Sequence, residues 1–168
     1  MRREELAANL LAVQSALAEA IAKSGRSQDS VRLMAVSKTH PYEAMLALCE
    51  EGQLLFGENR VQEGEGKLPP KGERPLSVNL IGHLQGNKAK KAIALFDRID
   101  SVDSLRLARR LNDLVSEPYP ILLELNTSGE AAKHGFADED ALFFALDEIA
   151  TMGLLRVEGL LTLGPLGG

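Results

Sequence analysis

The sequence has very little cysteine and no excess of positive charge. Cys49 is the only cysteine in 168 residues, which excludes an intramolecular disulfide and a zinc site built from cysteines. Its helical surroundings favour a small buried hydrophobic side chain. The 19 lysines and arginines stand against 24 aspartates and glutamates, for a net charge of −5. This balance argues against a general nucleic-acid binder, whose affinity depends on neutralising phosphates.

The sequence also lacks segments that direct a protein to or through a membrane. It begins Met1-Arg2-Arg3-Glu4-Glu5-Leu6, the start of an amphipathic helix rather than of an apolar signal core. No segment is predicted to reach membrane-spanning length. There is no low-complexity stretch, and no linker is long enough to separate two domains. We therefore expect a single cytoplasmic domain over residues 1–168, with neither a membrane nor a nucleic acid as partner.

What the sequence does have is a regular alternation of predicted strands and helices. The predicted strands are 32–38, 54–56, 78–81, 98–101, 120–125 and 155–163. The predicted helix starts are Pro41, Asn87, Asp103 or Ser104, and Asp138 or Asp140. Strict alternation indicates an α/β fold with a parallel sheet. A spacing of roughly 20 to 35 residues per unit is typical of a (β/α) barrel.

Polar or small residues close each predicted strand at its carboxyl end. They are Ser37-Lys38, Glu58-Asn59, Gly82-His83, Ser101, Asn126-Thr127 and Thr162. If the strands are parallel and adjacent, these residues gather on one rim, where such folds bind ligands. The alternative is that loops are polar in any protein. That alternative explains less well a lysine, an asparagine and a histidine directly at the strand exits, so we predict a functional rim.

Lys38 is the most informative of these residues. It closes an apolar run that is predicted as a buried strand, so its stem would lie against apolar neighbours and its amine would face a cavity. Partial desolvation disfavours an ammonium ion, and a neutral amine is what Schiff-base chemistry requires. The alternative is a structural lysine that extends its amine into solvent at the end of a strand.

Four segments occur in order along the chain and together carry a resemblance. They are Ala35-Val36-Ser37-Lys38-Thr39, Phe56-Gly57-Glu58-Asn59-Arg60-Val61-Gln62-Glu63, Ile81-Gly82-His83-Leu84-Gln85-Gly86-Asn87-Lys88, and Asn126-Thr127-Ser128-Gly129-Glu130 with Lys133-His134-Gly135. They closely resemble the pyridoxal-phosphate homeostasis proteins, once called proline synthetase co-transcribed proteins. That family is similar to the barrel domain of alanine racemase standing alone. The resemblance implies a TIM-type barrel of the alanine racemase N-terminal type, with about six of its eight strand–helix units in this chain.

The resemblance also implies the cofactor and its site. Lys38 is expected to carry pyridoxal 5'-phosphate as a Schiff base, and Asn59 to lie near the cofactor ring. His83 lies in the third motif and is the third candidate cofactor-binding residue. No catalytic residue and no metal site is expected. Asn79 stands where the family usually has a histidine, and we expect this to change packing or a hydrogen bond near the rim rather than cofactor attachment.

The family pattern continues beyond the end of this sequence. Family members have two more strand–helix units, which supply a serine-containing loop and an arginine–glycine turn that hold the phosphate. We therefore expect a C-terminally incomplete domain with open edges on the first and sixth strands, prone to self-association. It is also expected to bind the cofactor weakly, reversibly or not at all. The first alternative holders of the phosphate are Lys88, Lys90 and Lys91.

Three functions remain open at this point. The first is a carrier or buffer of pyridoxal phosphate in intracellular cofactor homeostasis, with little or no catalysis and with cofactor-requiring apo-enzymes as partners. The second is a racemase-like enzyme, which needs a second base; Tyr42 and Tyr119 are the only tyrosines and neither closes a strand. The third is an interaction module without a cofactor, in which Lys38 is structural. The chain is expected to be a monomer or a homodimer.

Overall fold

The computed structural model describes residues 3–128 and 134–164 of the chain. The strands are β1 Ala35–Val36, β2 Leu55–Glu58, β3 Ser77–Leu80, β4 Arg98–Val102, β5 Tyr119–Glu124 and β6 Leu155–Leu161. The α-helices are α1 Arg3–Ser24, α2 Tyr42–Glu50, α3 Val61–Lys67, α4 Ala89–Leu95, α5 Leu105–Asn112 and α6 Glu139–Ala150. Short 3₁₀ turns lie at Gln28–Ser30 and Gly86–Lys88.

The six strands form one sheet in the order β1-β2-β3-β4-β5-β6, and every neighbouring pair is parallel. Right-handed crossovers between consecutive parallel strands place all the connecting helices on the same face of the sheet. A doubly wound sheet would instead reverse its strand order at one point. The predicted α/β alternation is confirmed, and the sheet winds in one direction as in a (β/α) barrel.

The hydrophobic core lies between the sheet and the helices. Its strands contribute fully buried residues such as Phe56, Val78 and Ile99, and its helices contribute Leu111 and Ile149. Side chains along a strand alternate between the two faces of a sheet, so every second strand residue points to these helices. Burial of each large apolar side chain contributes about 1.5–3 kcal/mol to folding, which makes this layer the main source of stability.

A polar network occupies alternate positions on β3, β4 and β6. Asn79 donates from Nδ2 to Asp100 at 3.2 Å. Arg98 pairs with Asp100 at 2.6 Å and with Glu158 at 3.0 Å. The hydrogen bond that Arg98 donates to Asp100 is the main reason that the pKa of Arg98 is raised. The hydrogen bond of Asn79 therefore lies within the sheet rather than near the rim, where we expected it.

β1 differs from its prediction as a buried strand. It has only two residues, and Val36 is 48% exposed. The reason is its place at the edge of the sheet, where β2 is its only neighbour among the described strands. An apolar run in the sequence carries no information about whether a second neighbour covers the strand.

The helix starts agree with the predictions at three places of four. Pro41 is the N-cap residue of α2, which begins at Tyr42. Ser104 caps α5 by accepting a hydrogen bond from Leu107 N at 3.3 Å, and Asp138 caps α6 by accepting one from Ala141 N at 2.8 Å. Asn87 was expected to cap α4, which is wrong. It lies within the 3₁₀ turn, and α4 begins at Ala89, because the chain makes one tighter turn before the α-helix.

α1 contradicts the expectation that no segment reaches membrane-spanning length. It has 22 residues and a mean hydropathy of 1.2 over an 18-residue window. By length and composition alone, it is therefore long and apolar enough to cross a membrane. α1 nevertheless packs against α2, with Leu10 and Ile21 buried, and Arg3 forms an ion pair with Glu50. A core helix of a soluble protein and a signal sequence near the N-terminus pass the same test, and 11% of this window is buried, so length and composition alone do not distinguish them.

Candidate functional site

The carboxyl ends of the six strands meet on one rim, because all the strands run in the same direction. Lys38 follows β1, Asn59 follows β2, and His83 follows β3 after Ile81 and Gly82. Each of the three predicted cofactor-binding residues therefore lies at a strand exit of this rim. This is the side of a parallel α/β sheet on which ligands bind.

Lys38 lies in the loop that joins β1 to α2. Its side chain is exposed and forms no hydrogen bond or ion pair with the described residues. The partial burial predicted for it is not found, because β1 is an edge strand. Thr39 has a φ of 65°, in the left-handed region that residues other than glycine rarely adopt. The loop thus presents a free primary amine from a backbone that must be held in place by its surroundings.

Lys67, the last residue of α3, supports this loop from the protein side. Its Nζ donates to the carbonyl oxygens of Ser37, at 2.7 Å, and of His40, at 2.9 Å. Glu63, one helical turn earlier, accepts a hydrogen bond from the Thr39 amide. That hydrogen bond is the largest cause of the lowered pKa of Glu63. The lysine loop, residues 37–40, is therefore hydrogen-bonded to α3 at both of its ends, through the carbonyl oxygens of Ser37 and His40, and at Thr39 between them.

Glu58 completes the support of the lysine loop. It ends β2, is fully buried, and lies 2.7 Å from the Lys67 ammonium group. Its Oε1 accepts a hydrogen bond from the Ser37 hydroxyl at 2.5 Å, while Oε2 has no partner among the described residues. The role of Lys67 was not predicted from the sequence; the only signal for it was the i, i+4 spacing from Glu63 at the end of a polar helix.

Asn59 is held by the close approach of the ends of β2 and β3. A Cβ atom on Gly82 would lie 2.2 Å from the carbonyl oxygen of Asn59. Only glycine allows this contact. Asn59 also lines an open cavity of about 450 Å³ together with His83, Lys88 and Arg60. The structure therefore brings two of the three predicted site residues, Asn59 and His83, to one cavity.

His83 makes its close contacts with two residues that the sequence analysis did not assign to the site. Its Nδ1 lies 2.9 Å from Asp103 Oδ2, and its ring stacks on His134 with a centroid distance of 3.7 Å and an interplanar angle of 8°. Asp103 was expected only as a helix cap. Nearby, burial raises the pKa of Glu124, the Asp103 carboxylate adds to that rise, and His83 opposes it.

Two comparisons place the whole chain among known sequences. The family model described as alanine racemase, N-terminal domain, matches residues 6–166. The pyridoxal phosphate homeostasis protein of Vibrio alginolyticus is 37% identical over 148 residues, and that of Escherichia coli K12 is 36% identical over 167 residues. These alignments cover 84% and 95% of this chain but only 63% and 70% of the two relatives.

Solved structures show the same likeness. The crystal structure of an unknown protein from Bifidobacterium adolescentis has a TM-score of 0.88 and 30% identity, covering 98% of this chain and 71% of that one. PipY of Synechococcus elongatus with pyridoxal phosphate bound has a TM-score of 0.73 and 35% identity, with 90% and 72% coverage. An alanine racemase from Clostridium difficile has a TM-score of 0.65 at 15% identity, over 81% of this chain and 36% of that one, which shows a shared fold.

Proposed function

This chain belongs to the alanine racemase N-terminal-domain family and to its pyridoxal phosphate homeostasis proteins, and we propose that it binds pyridoxal 5'-phosphate through Lys38. In this proposal it acts as a carrier or buffer of the cofactor. One observation carries the proposal: a primary amine without a partner among the described residues stands at a strand exit, in a loop that Lys67 and Glu63 hold in place. PipY, with pyridoxal phosphate bound, supports the choice of ligand.

The residues of the rim fit the aldehyde end of the cofactor. A primary amine is the group that condenses with an aldehyde, and Lys38 has no carboxylate among the described residues to hold it as an ion pair. Asn59 supplies an amide at the neighbouring strand exit, suited to a hydrogen bond with the ring substituents. When bound, the cofactor supplies an electron sink for carbanion chemistry.

The phosphate group of the cofactor has fewer candidate partners among the described residues than its aldehyde end. Of the three lysines suggested from the sequence, Lys91 pairs with Glu65 at 2.8 Å, whereas Lys88 lines the cavity beside Asn59. Hydrogen bonds to a charged group contribute about 1.5–3 kcal/mol each, so a phosphate held by one lysine is bound weakly. The expected behaviour is reversible loading and release, which suits a carrier.

The positions of the two tyrosines support cofactor binding without catalysis by this chain. A racemase needs a second base on the other side of the cofactor. The Tyr119 hydroxyl donates to the Phe96 carbonyl oxygen at 2.7 Å, beyond the amino end of β4 and away from the rim. Tyr42 packs against the hydrophobic core, and burial raises its pKa. A D-alanine or L-alanine solution in deuterium oxide, incubated with the loaded chain, is expected to show no exchange of the α-proton.

The test of the binding itself uses one lysine variant and one control. Pyridoxal phosphate added to the chain should produce visible absorbance that borohydride reduction abolishes, and the reduced adduct should map to Lys38 by mass spectrometry. Lys38→Ala should lose both signals. Lys23→Ala removes an exposed lysine of α1 and should keep them. A reducible chromophore that persists in Lys38→Ala would overturn the proposal.

The same proposal includes the partners and location expected from the sequence. Apo-enzymes that require pyridoxal phosphate would receive the cofactor, in the cytoplasm, from a monomer or homodimer of this chain. Activity recovered by such an apo-enzyme after mixing with the loaded chain, faster than after mixing with the same total of free cofactor, would support direct transfer. Equal rates would mean that the cofactor is released before it is taken up.

A further inference from the structure

Three consecutive strand exits bring two histidines and one carboxylate together. His83 follows β3, Asp103 follows β4, and His134 lies between β5 and α6. Asp103 Oδ2 lies 2.9 Å from His83 Nδ1 and 3.8 Å from His134 Nδ1. One ligand atom from each of the three residues lies within 4.8 Å of the others. Within residues 3–128 and 134–164, this is the only group of three or more histidine, cysteine or acidic side chains whose ligand atoms lie so close together.

We propose that His83, Asp103 and His134 form a binding site for a late first-row divalent cation, with Zn²⁺ as the best representative. Imidazole nitrogen and carboxylate oxygen bind Zn²⁺ at about 2.0–2.2 Å. Two such ligands on one ion lie about 3.0–3.5 Å apart at octahedral or tetrahedral angles. The two distances from Asp103, 2.9 and 3.8 Å, fall on either side of this range. Small side-chain rotations are therefore enough to close the site.

The stacking of the two histidine rings determines which side chain must move when the ion binds. A ring nitrogen binds a metal in the plane of its own ring, so two parallel rings 3.7 Å apart cannot both point at one ion. One ring must tilt, and the exposed His134 has the space to do so. Its backbone is fixed by Gly135, where φ is +115° and a Cβ atom would lie 2.8 Å from the Asn126 amide. Metal binding should therefore unstack the histidines without moving the chain that carries them.

The surroundings leave room for the remaining ligands of the ion. The three residues line an open cavity of about 740 Å³, so water or a small ligand can fill the other coordination positions, as in catalytic zinc sites. Arg106 and Arg110 line the same cavity and oppose a cation. Asp103, itself one of the three ligands, supplies negative charge that offsets part of theirs. The balance favours a cation with strong affinity for imidazole over a hard ion such as Mg²⁺.

The test is calorimetric titration of the whole chain, free of pyridoxal phosphate, with Zn²⁺ near neutral pH. Visible absorbance of Co²⁺ in the same site gives a second measurement, because its bands change when protein ligands replace water around the ion. We expect one ion per chain. Loss of even an outer partner of a metal ligand weakens binding about 10–100-fold, so His134→Ala and Asp103→Asn should each lower the affinity at least about tenfold. A circular dichroism melt of each variant checks that it folds.

The third histidine of the chain provides the control. His40 is exposed, lies in the lysine loop and shares no side-chain contact with the cluster among the described residues. His40→Ala should bind Zn²⁺ like the unchanged chain, and so should Lys38→Ala, which separates this proposal from cofactor binding. No binding by the unchanged chain, or equal affinity in His134→Ala, would overturn the site. Loss of binding in His40→Ala alone would place the ion elsewhere and overturn it as well.

Discussion

Glu58 and Lys67 form the buried ion pair on which the lysine loop rests. Glu58 is fully buried and Lys67 nearly so, and their charged atoms lie 2.7 Å apart. Removal of one partner of such a pair leaves an uncompensated charge and costs about 3–5 kcal/mol. Lys67→Met should therefore lower the free energy of unfolding by about that amount in urea titrations. It should also weaken pyridoxal phosphate binding, since Ser37 and His40 lose their common donor.

The control for this prediction is the double variant. Glu58→Gln with Lys67→Met removes both charges and should recover part of the lost stability, whereas the single change should not. Lys90→Met, on an exposed face of α4, should change stability by less than about 0.5 kcal/mol. If Lys67→Met costs no more than Lys90→Met, the pair does not support the loop.

Gly82 controls the position of Asn59. Because a Cβ atom there would lie 2.2 Å from the Asn59 carbonyl oxygen, Gly82→Ala must displace backbone rather than a flexible side chain. Overpacking of this kind costs about 1–3 kcal/mol. We expect the variant to unfold at a lower denaturant concentration and to bind pyridoxal phosphate less tightly. Gly86→Ala, where a Cβ atom meets nothing within 4 Å, should do neither; equal effects at both positions would contradict this account.

At the scale of elements, the sequence predicted the strands and helices better than their contacts. Periodicity located all six strands to within a few residues, because alternating and helical burial are local properties. The exposure of β1 depends on a neighbouring strand, which no local pattern contains. The two carbonyl groups that Lys67 binds are 27 and 30 residues away in sequence, and the two stacked histidines are 51 residues apart. Such contacts arise only when the parallel strands bring their exits together.

Tyr119 joins β5 to the turn between α4 and β4. Its hydroxyl donates to the Phe96 carbonyl oxygen, and burial is the main reason that its pKa is raised above the usual value of about 10. The folded chain thus holds this proton more tightly than the unfolded chain. The resulting stability is present in full below pH ~10 and is lost as the pH rises through the folded pKa.

We therefore expect the free energy of unfolding to fall as the pH rises above about 10, and to fall less steeply in Tyr119→Phe. At neutral pH the same variant should be less stable by about 0.5–1.5 kcal/mol, because one hydrogen bond is lost. Urea titrations from pH 7 to 11 measure both effects. Tyr42→Phe is the comparison: burial also raises the pKa of Tyr42, but this residue is only half-buried, so its loss should flatten the profile less. Parallel pH profiles of the unchanged chain and Tyr119→Phe would show that another group causes the alkaline loss.

At the scale of the whole molecule, the described sheet has two free edges. β1 and β6 each pair with one strand only, and both carry exposed apolar residues, Val36 at 48% and Leu160 at 56%. The backbone groups on the outer side of an edge strand are open to pairing with another chain. β6 is the better template, because its seven residues can form a longer ladder than the two of β1.

We predict that this chain self-associates through the β6 edge, with a sedimentation coefficient that rises with concentration. Leu160→Lys places a charge on that edge and should shift the equilibrium towards the monomer, as charged residues do on natural edge strands. Phe144→Lys is the matched control, since Phe144 is 62% exposed on α6 and lies on no sheet edge. Loss of association in both variants would indicate general apolar contact rather than strand pairing. A monomer at every concentration, with one sharp thermal transition, would show that the edges are protected and would contradict the prediction.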